Sequence, residues 1–188
     1  AGVLAAQAPA SRVTLTDVTR EAGIVARHDN GAAGRKLLPE TMGAGAAFLD
    51  YDNDGDQDLL FVHGLFPGGG GNRFASLYRN DGTGRFTDVS MATGLQPPAT
   101  VPKAQGPRPN ADTAAPAALR YGMGVAAADM DNDGWTDLVL TSVGGLHLFR
   151  NERGTRFVEV TRQAGLAAHR GFSTCALWVD VDRDGLVD

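Results

Sequence analysis

The sequence predicts an all-β fold of propeller blades, each blade a sheet of four antiparallel strands, in an incomplete set of about two and a half. Three observations carry this. The segment Leu15-Thr-Asp-Val-Thr-Arg-Glu-Ala-Gly-Ile24 recurs as Phe86 to Leu95 and again as Phe157 to Leu166, 71 residues further on each time. Between the copies the chain is a succession of short apolar runs punctuated by Gly, Asn and Asp, the pattern of strands and tight turns. Aspartate-rich loops begin at Asp50, Asp129 and Asp180, one in each repeat.

Taken in order, residues 1–11 are small, apolar and Ala-rich, and are expected to be a processed or disordered N-terminal segment. Residues 12–188 are expected to be propeller repeats. Arg12 to Thr19 is expected to be an outer strand of the kind that completes the last blade of a ring. The Thr-Arg-Glu-Ala-Gly type segments are expected to form one helical turn that stops at its Gly. The first blade spans 43–95. Ala46 to Leu49 runs into the first loop and Leu59 to Val62 leaves it. Ser76 to Arg79 and Arg85 to Val89 follow, joined through Asn80-Asp-Gly-Thr-Gly84, whose residues tolerate the positive φ of a hairpin.

An insertion at 96–117 holds most of the chain's prolines and no apolar period, and reads as an exposed excursion. The second blade, 122–166, repeats the plan with Val125 to Ala128, Leu138 to Thr141, Leu146 to Phe149 and Arg156 to Val160. Residues 171–188 begin a third. There Ser173 and Cys175 stand where the other repeats have Gly43 and Gly45, or Gly122 and Gly124. Cys175 is the one cysteine, which excludes an intrachain disulfide; its apolar run predicts a buried, small hydrophobe.

The loops carry the chemistry. Each reads Asp-x-Asp-x-Asp-Gly-x-x-Asp. Positions 1, 3, 5 and 9 are Asp50, Asp52, Asp54 and Asp58 in the first loop, Asp129, Asp131, Asp133 and Asp137 in the second, and Asp180, Asp182, Asp184 and Asp188 in the third. A hard cation such as calcium takes six to eight oxygen ligands, and carboxylates at alternate positions can curl around one ion. Gly55, Gly134 and Gly185 permit the sharp turn at position 6. The position 7 carbonyls, from Asp56, Trp135 and Leu186, complete the expected ligand set. Without Cys or His the loops do not suit zinc. They are not EF-hands either, since position 12 is Phe61 or Leu140 rather than Glu. About three Ca2+ ions are therefore expected, which would move the formal charge from −5 to about +1.

The acidic balance offers no basic face for nucleic acid, and no run approaches the ~20 apolar residues of a membrane span.

The run from Gly43 to Leu59, Gly-Ala-Gly-Ala-Ala-Phe-Leu-Asp-Tyr-Asp-Asn-Asp-Gly-Asp-Gln-Asp-Leu, resembles an FG-GAP/VCBS repeat of the kind found in integrin α-subunit propellers. Together with Leu77-Tyr-Arg-Asn80, Phe86-Thr-Asp-Val89 and Leu38-Pro-Glu-Thr-Met-Gly43 it is similar to the extracellular proteins related to cartilage acidic protein and to the bacterial ASPIC/UnbV group. The resemblance implies a calcium-stabilised propeller that is secreted, extracellular or on the cell surface, or periplasmic. It implies a role in adhesion or recognition, with an extracellular protein or glycan as partner, and carries the loop aspartates over as ligands one by one.

Two other functions are open. A subunit of an extracellular filament would self-assemble by sharing unpaired strands, an alternative to the chain being a fragment of a longer propeller. A glycan-acting enzyme would need acid–base groups outside the loops. His28, Glu40, His63, His147 and His169 are the thin candidates, none in a triad or zinc spacing, so no enzyme is expected.

Overall fold

The structure, a computed structural model, describes residues 13–28, 30, 36, 38–65, 74–95 and 120–188. The N-terminal segment 1–11 and the insertion 96–117 lie outside the described residues. The fold is all-β. Its strands are β1 (Ala46–Leu49), β2 (Asp58–Val62), β3 (Gly64–Leu65), β4 (Ala75–Asn80), β5 (Phe86–Asp88), β6 (Arg120–Ala128), β7 (Asp137–Val143), β8 (Gly145–Asn151) and β9 (Phe157–Glu159).

They form two antiparallel sheets, ordered β1-β2-β4-β5 and β3-β6-β7-β8-β9. Each contains one four-stranded blade. The second gains β3 from the chain of the first, with Gly64 opposite Tyr121 and Leu65 opposite Arg120. The four expected strands of each blade are all present, with ends shifted by a few residues. Strand β6 is the exception, starting well before Val125 and carrying a bulge at Gly122/Gly124.

The larger apolar core among the described residues runs between the blades. Leu49, Leu60, Val62, Phe74 and Leu77 from the first pack with Leu138, Leu140, Phe149 and Phe157 from the second. Backbones approach closely at the seam. A Cβ on Gly122 would lie 2.2 Å from a Val62 methyl, and one on Gly45 would lie 2.9 Å from the Cα of Gly124. Gly45 and Gly122 are therefore packing requirements, and the close approach lets the Gly45 N–H reach the Met123 carbonyl at 2.8 Å. The 3-10 turn at Leu38–Thr41 crosses to the second blade, where the buried Tyr121 hydroxyl lies 2.6 and 2.5 Å from the carbonyls of Asn30 and Pro39.

The 71-residue signature is a helical turn that ends on a glycine, as its composition predicts. The N–H of Ala22, Thr93 and Ala164 donates to the carbonyl four residues back, and Gly23, Gly94 and Gly165 adopt φ of 82°, 75° and 76°. Each of the first two turns also serves the next blade. The Ala22 carbonyl accepts from the Phe86 N–H, and the Thr93 carbonyl from the Phe157 N–H, both at 2.8 Å.

Three expectations are corrected. Within the expected strand Arg12 to Thr19, the described residues 13–18 form no strand, and no described strand pairs with them; Val13 and Leu15 are exposed. Residues 171–188 hold no strand, only a bridge between Phe172 and Val143, since no ladder partner flanks 174–179 among the described residues. Cys175 is exposed, not buried, for the same reason: its neighbour Leu177 is 82% exposed. Its backbone still touches the second blade at the Gly124 position, as Gly124 touches Gly45.

Candidate metal centre

The first loop joins β1 to β2 and the second joins β6 to β7, so each is clamped at both ends by an antiparallel ladder. The closing pairs are Leu49 with Asp58 and Ala128 with Asp137. The third loop closes in the same way without flanking strands: the Asp188 N–H donates to the Val179 carbonyl at 2.9 Å.

The three loops share their closing hydrogen bonds and their glycine turn. The position 1 carboxylate accepts from the N–H of the position 6 glycine at 2.9, 2.8 and 3.0 Å in Asp50, Asp129 and Asp180. The position 9 carboxylate accepts from the N–H of position 2: Tyr51 at 3.0 Å, Met130 at 2.9 Å and Val181 at 3.0 Å. Gly55, Gly134 and Gly185 take φ of 91°, 87° and 89°, the turn the motif predicts.

This folding brings the acids of positions 1, 3 and 9 together. In Asp50/Asp52/Asp58, Asp129/Asp131/Asp137 and Asp180/Asp182/Asp188, one carboxylate oxygen from each residue lies within 4.8 Å of the others. The position 5 acids bond within their own loops. Asp54, Asp133 and Asp184 each accept from the N–H of position 7, on Asp56, Trp135 and Leu186, at 3.0, 3.0 and 2.8 Å. The Asp56 carboxylate faces Gly82.

The position 9 carboxylates carry the clearest electrostatic cost. Asp58 and Asp137 are fully buried, and burial raises both carboxyls above the usual range against the pull of two backbone N–H donors each. Burial, then the charges of Asp52 and Asp58, pushes the Tyr51 phenol up to about 12. Asp52 Oδ1 is buried and accepts no hydrogen bond, an arrangement that costs free energy in the absence of a partner. An all-oxygen donor set with a buried, unmatched acceptor fits a hard divalent cation.

Two kinds of residue were not given a role from the sequence. Asn53, Asn132 and Arg183 at position 4 adopt φ of 56°, 55° and 66°, which Asn tolerates best. Asn53 Nδ2 donates to the Gly134 carbonyl at 2.8 Å and Asn132 Nδ2 to the Gly185 carbonyl at 3.3 Å, so each amide reaches the next loop. Asn80 and Asn151, the last residues of β4 and β8, give their N–H to Asp58 and Asp137 at 2.8 and 2.7 Å. The recurrence of Leu77-Tyr-Arg-Asn80 as Leu148-Phe-Arg-Asn151 was the available signal.

Elsewhere the histidines find ordinary partners. His63 is buried, bonds Ser76 Oγ at 2.9 Å and stacks on His28. His147 meets Glu159 at 2.9 Å, and His169 meets Ser173 at 2.9 Å. No helix among the described residues is long and apolar enough to cross a membrane.

Fold and site together define a class: a repeat protein of propeller blades whose inner hairpins close on acidic loops. The FG-GAP-like repeat matches residues 50–140 and again 129–188, and the chain belongs to that family. No curated protein matches it.

Proposed function

We propose that the chain is a calcium-dependent binding module of an exported protein, with about three structural Ca2+ ions, one in each acidic loop. The convergence of three carboxylates in each of the three loops, with Asp52 Oδ1 buried and unmatched, supports this most directly. The residues that would hold the ions are the position 1, 3 and 9 aspartates, with position 5 and the position 7 carbonyls as further donors. A bound ion supplies the positive charge that lets the buried Asp58 and Asp137 stay ionised while they hold β4 and β8. The metal thus fixes the blades, and recognition falls to the surface loops. An adhesion or recognition role, with an extracellular protein or glycan as partner, follows the resemblance to the cartilage acidic protein and ASPIC/UnbV group.

Thermal unfolding in about 10 mM CaCl2 against excess EDTA tests the reading. At the affinities of extracellular modules, roughly 10⁻⁴–10⁻³ M, each site should add ~1.4–2.7 kcal/mol and the melting temperature should rise by several degrees. An unchanged melting temperature removes the calcium reading.

A further inference from the structure

Two arginines stand at the same place in successive repeats, Arg79 in Leu77-Tyr-Arg-Asn80 and Arg150 in Leu148-Phe-Arg-Asn151. They do opposite things. Arg79 forks across the first acidic loop, with Nε 2.7 Å from Asp52 Oδ2 and Nη2 2.9 Å from Asp54 Oδ2, and so engages the acids of positions 3 and 5. Arg150 shares a cleft of about 420 Å³ with Asp131 and Asp133, the matching acids of the second loop. It turns instead to Glu152, at 3.5 Å. Asp131 and Asp133 have no ion pair among the described residues.

The cause lies two residues downstream. Glu152 is long enough to gather cations: its other oxygen takes Arg156 Nε at 2.6 Å. The equivalent residue in the first repeat is Asp81, one methylene shorter. Its carboxylate folds onto its own turn, where Oδ1 accepts from the Thr83 N–H at 2.9 Å and the Thr83 hydroxyl at 2.6 Å. Nothing there draws Arg79 away from the loop.

We infer that Arg79 is a built-in counter-cation that weakens the first loop as a divalent-cation site, and that Glu152 spares the second loop the same competition by holding Arg150. The inference rests on the calcium reading above. A metal ion entering the first loop meets a guanidinium already bonded to two of its carboxylates, and must share or displace it. Asp52 keeps its second oxygen, Oδ1, so the loop retains a donor and is weakened rather than abolished. The extra carboxylate of the first loop, Asp56, does not offset this, because it lies against Gly82 outside the three-acid cluster.

The test is calorimetric titration of the metal-stripped chain with CaCl2. The native chain should show sites of unequal affinity. Arg79→Gln should tighten the weaker class about three- to fivefold, on the scale of an exposed ion pair, while Arg150→Gln changes either class less than about 1.5-fold. Both side chains are substantially exposed, so neither substitution threatens the core. Terbium excited through Trp135 reports the second loop in a Trp178→Phe, Asp50→Ala background, which leaves one tryptophan and disables the first loop beside the Trp135 ring. Its affinity there should be unmoved by Arg79→Gln and lowered by Glu152→Asp, which frees Arg150 to reach Asp131 and Asp133. Calcium binding that Arg79→Gln leaves unchanged or weakens overturns the role of Arg79 and leaves the calcium reading intact. No calcium binding by the native chain removes both.

Discussion

Asn80 and Asn151 occupy equivalent positions, yet their surroundings differ. Asn151 is 1% exposed, and its Nδ2 lies 2.8 Å from the Tyr51 carbonyl in the preceding blade and 3.1 Å from that of Thr136. Its Oδ1 accepts from the Gly154 N–H at 2.9 Å. Asn80 makes the local bonds alone, to Gln57 at 3.1 Å and from Gly82 at 3.2 Å, at a half-buried site. Truncating a buried group that leaves its partners unmatched costs ~1–3 kcal/mol, whereas a part-exposed bond is replaced by water. Asn151→Ala should therefore lose at least twice the unfolding free energy that Asn80→Ala loses, measured by urea denaturation in EDTA so that metal does not contribute. Equal losses would mean that the bond to Tyr51 adds nothing to the blade seam. The loop aspartates were legible at this scale because their chemistry is local and their spacing is short. The asparagines were legible as a repeated pattern but not as a role, because the atoms they bond lie up to 100 residues away.

At the scale of elements, most of the strands were readable from short apolar runs bounded by turn residues. Strand β3 was not: two residues beside a glycine-rich stretch become a strand through their pairing with Tyr121 and Arg120. The unformed strands at 13–18 and 174–179 fail from the opposite cause, having the composition without a ladder partner among the described residues. The glycine turns separate local from non-local cost. All three glycines have φ near 80°, which costs a residue with a Cβ ~1–2 kcal/mol. A Cβ at Gly165 meets nothing within 4 Å, one at Gly94 comes 3.3 Å from the Phe157 carbonyl, and one at Gly23 comes 2.8 Å from the Phe86 carbonyl. Alanine substitutions should therefore rank Gly165, Gly94, Gly23 in rising destabilisation, with the first close to the bare strain. Denaturation midpoints of the three variants check it. An equal cost at all three would mean that the turns do not bear on the blades they touch.

Across the whole molecule, the acidic loops are strung together rather than merely repeated. Asn53 of the first loop holds the glycine carbonyl of the second, and Asn132 of the second holds that of the third. A Cβ on Gly154, from the turn between β8 and β9, would lie 2.8 Å from the Cα of Asp52, so the second blade also presses on the first loop. Each amide is anchored at position 4, between the position 3 and position 5 acids, so an ion that orders one loop orders the donor to the next. On the calcium reading this makes binding cooperative, and linkage requires the help to be mutual. One hydrogen bond of this kind carries ~0.5–1.5 kcal/mol, a coupling of about two- to tenfold between neighbours. Asp131→Ala disables the middle loop, and the calcium affinity of the loops on either side should then fall by that factor. Asn132→Ala, which cuts a single link and leaves every carboxylate in place, should reproduce the loss for the third loop while the first keeps its partner. Calcium titrations of the two variants against the native chain decide it. Flanking affinities that stay at their native values in both would make the three loops independent sites, with the asparagine bonds serving only to set the loops' spacing along the blades.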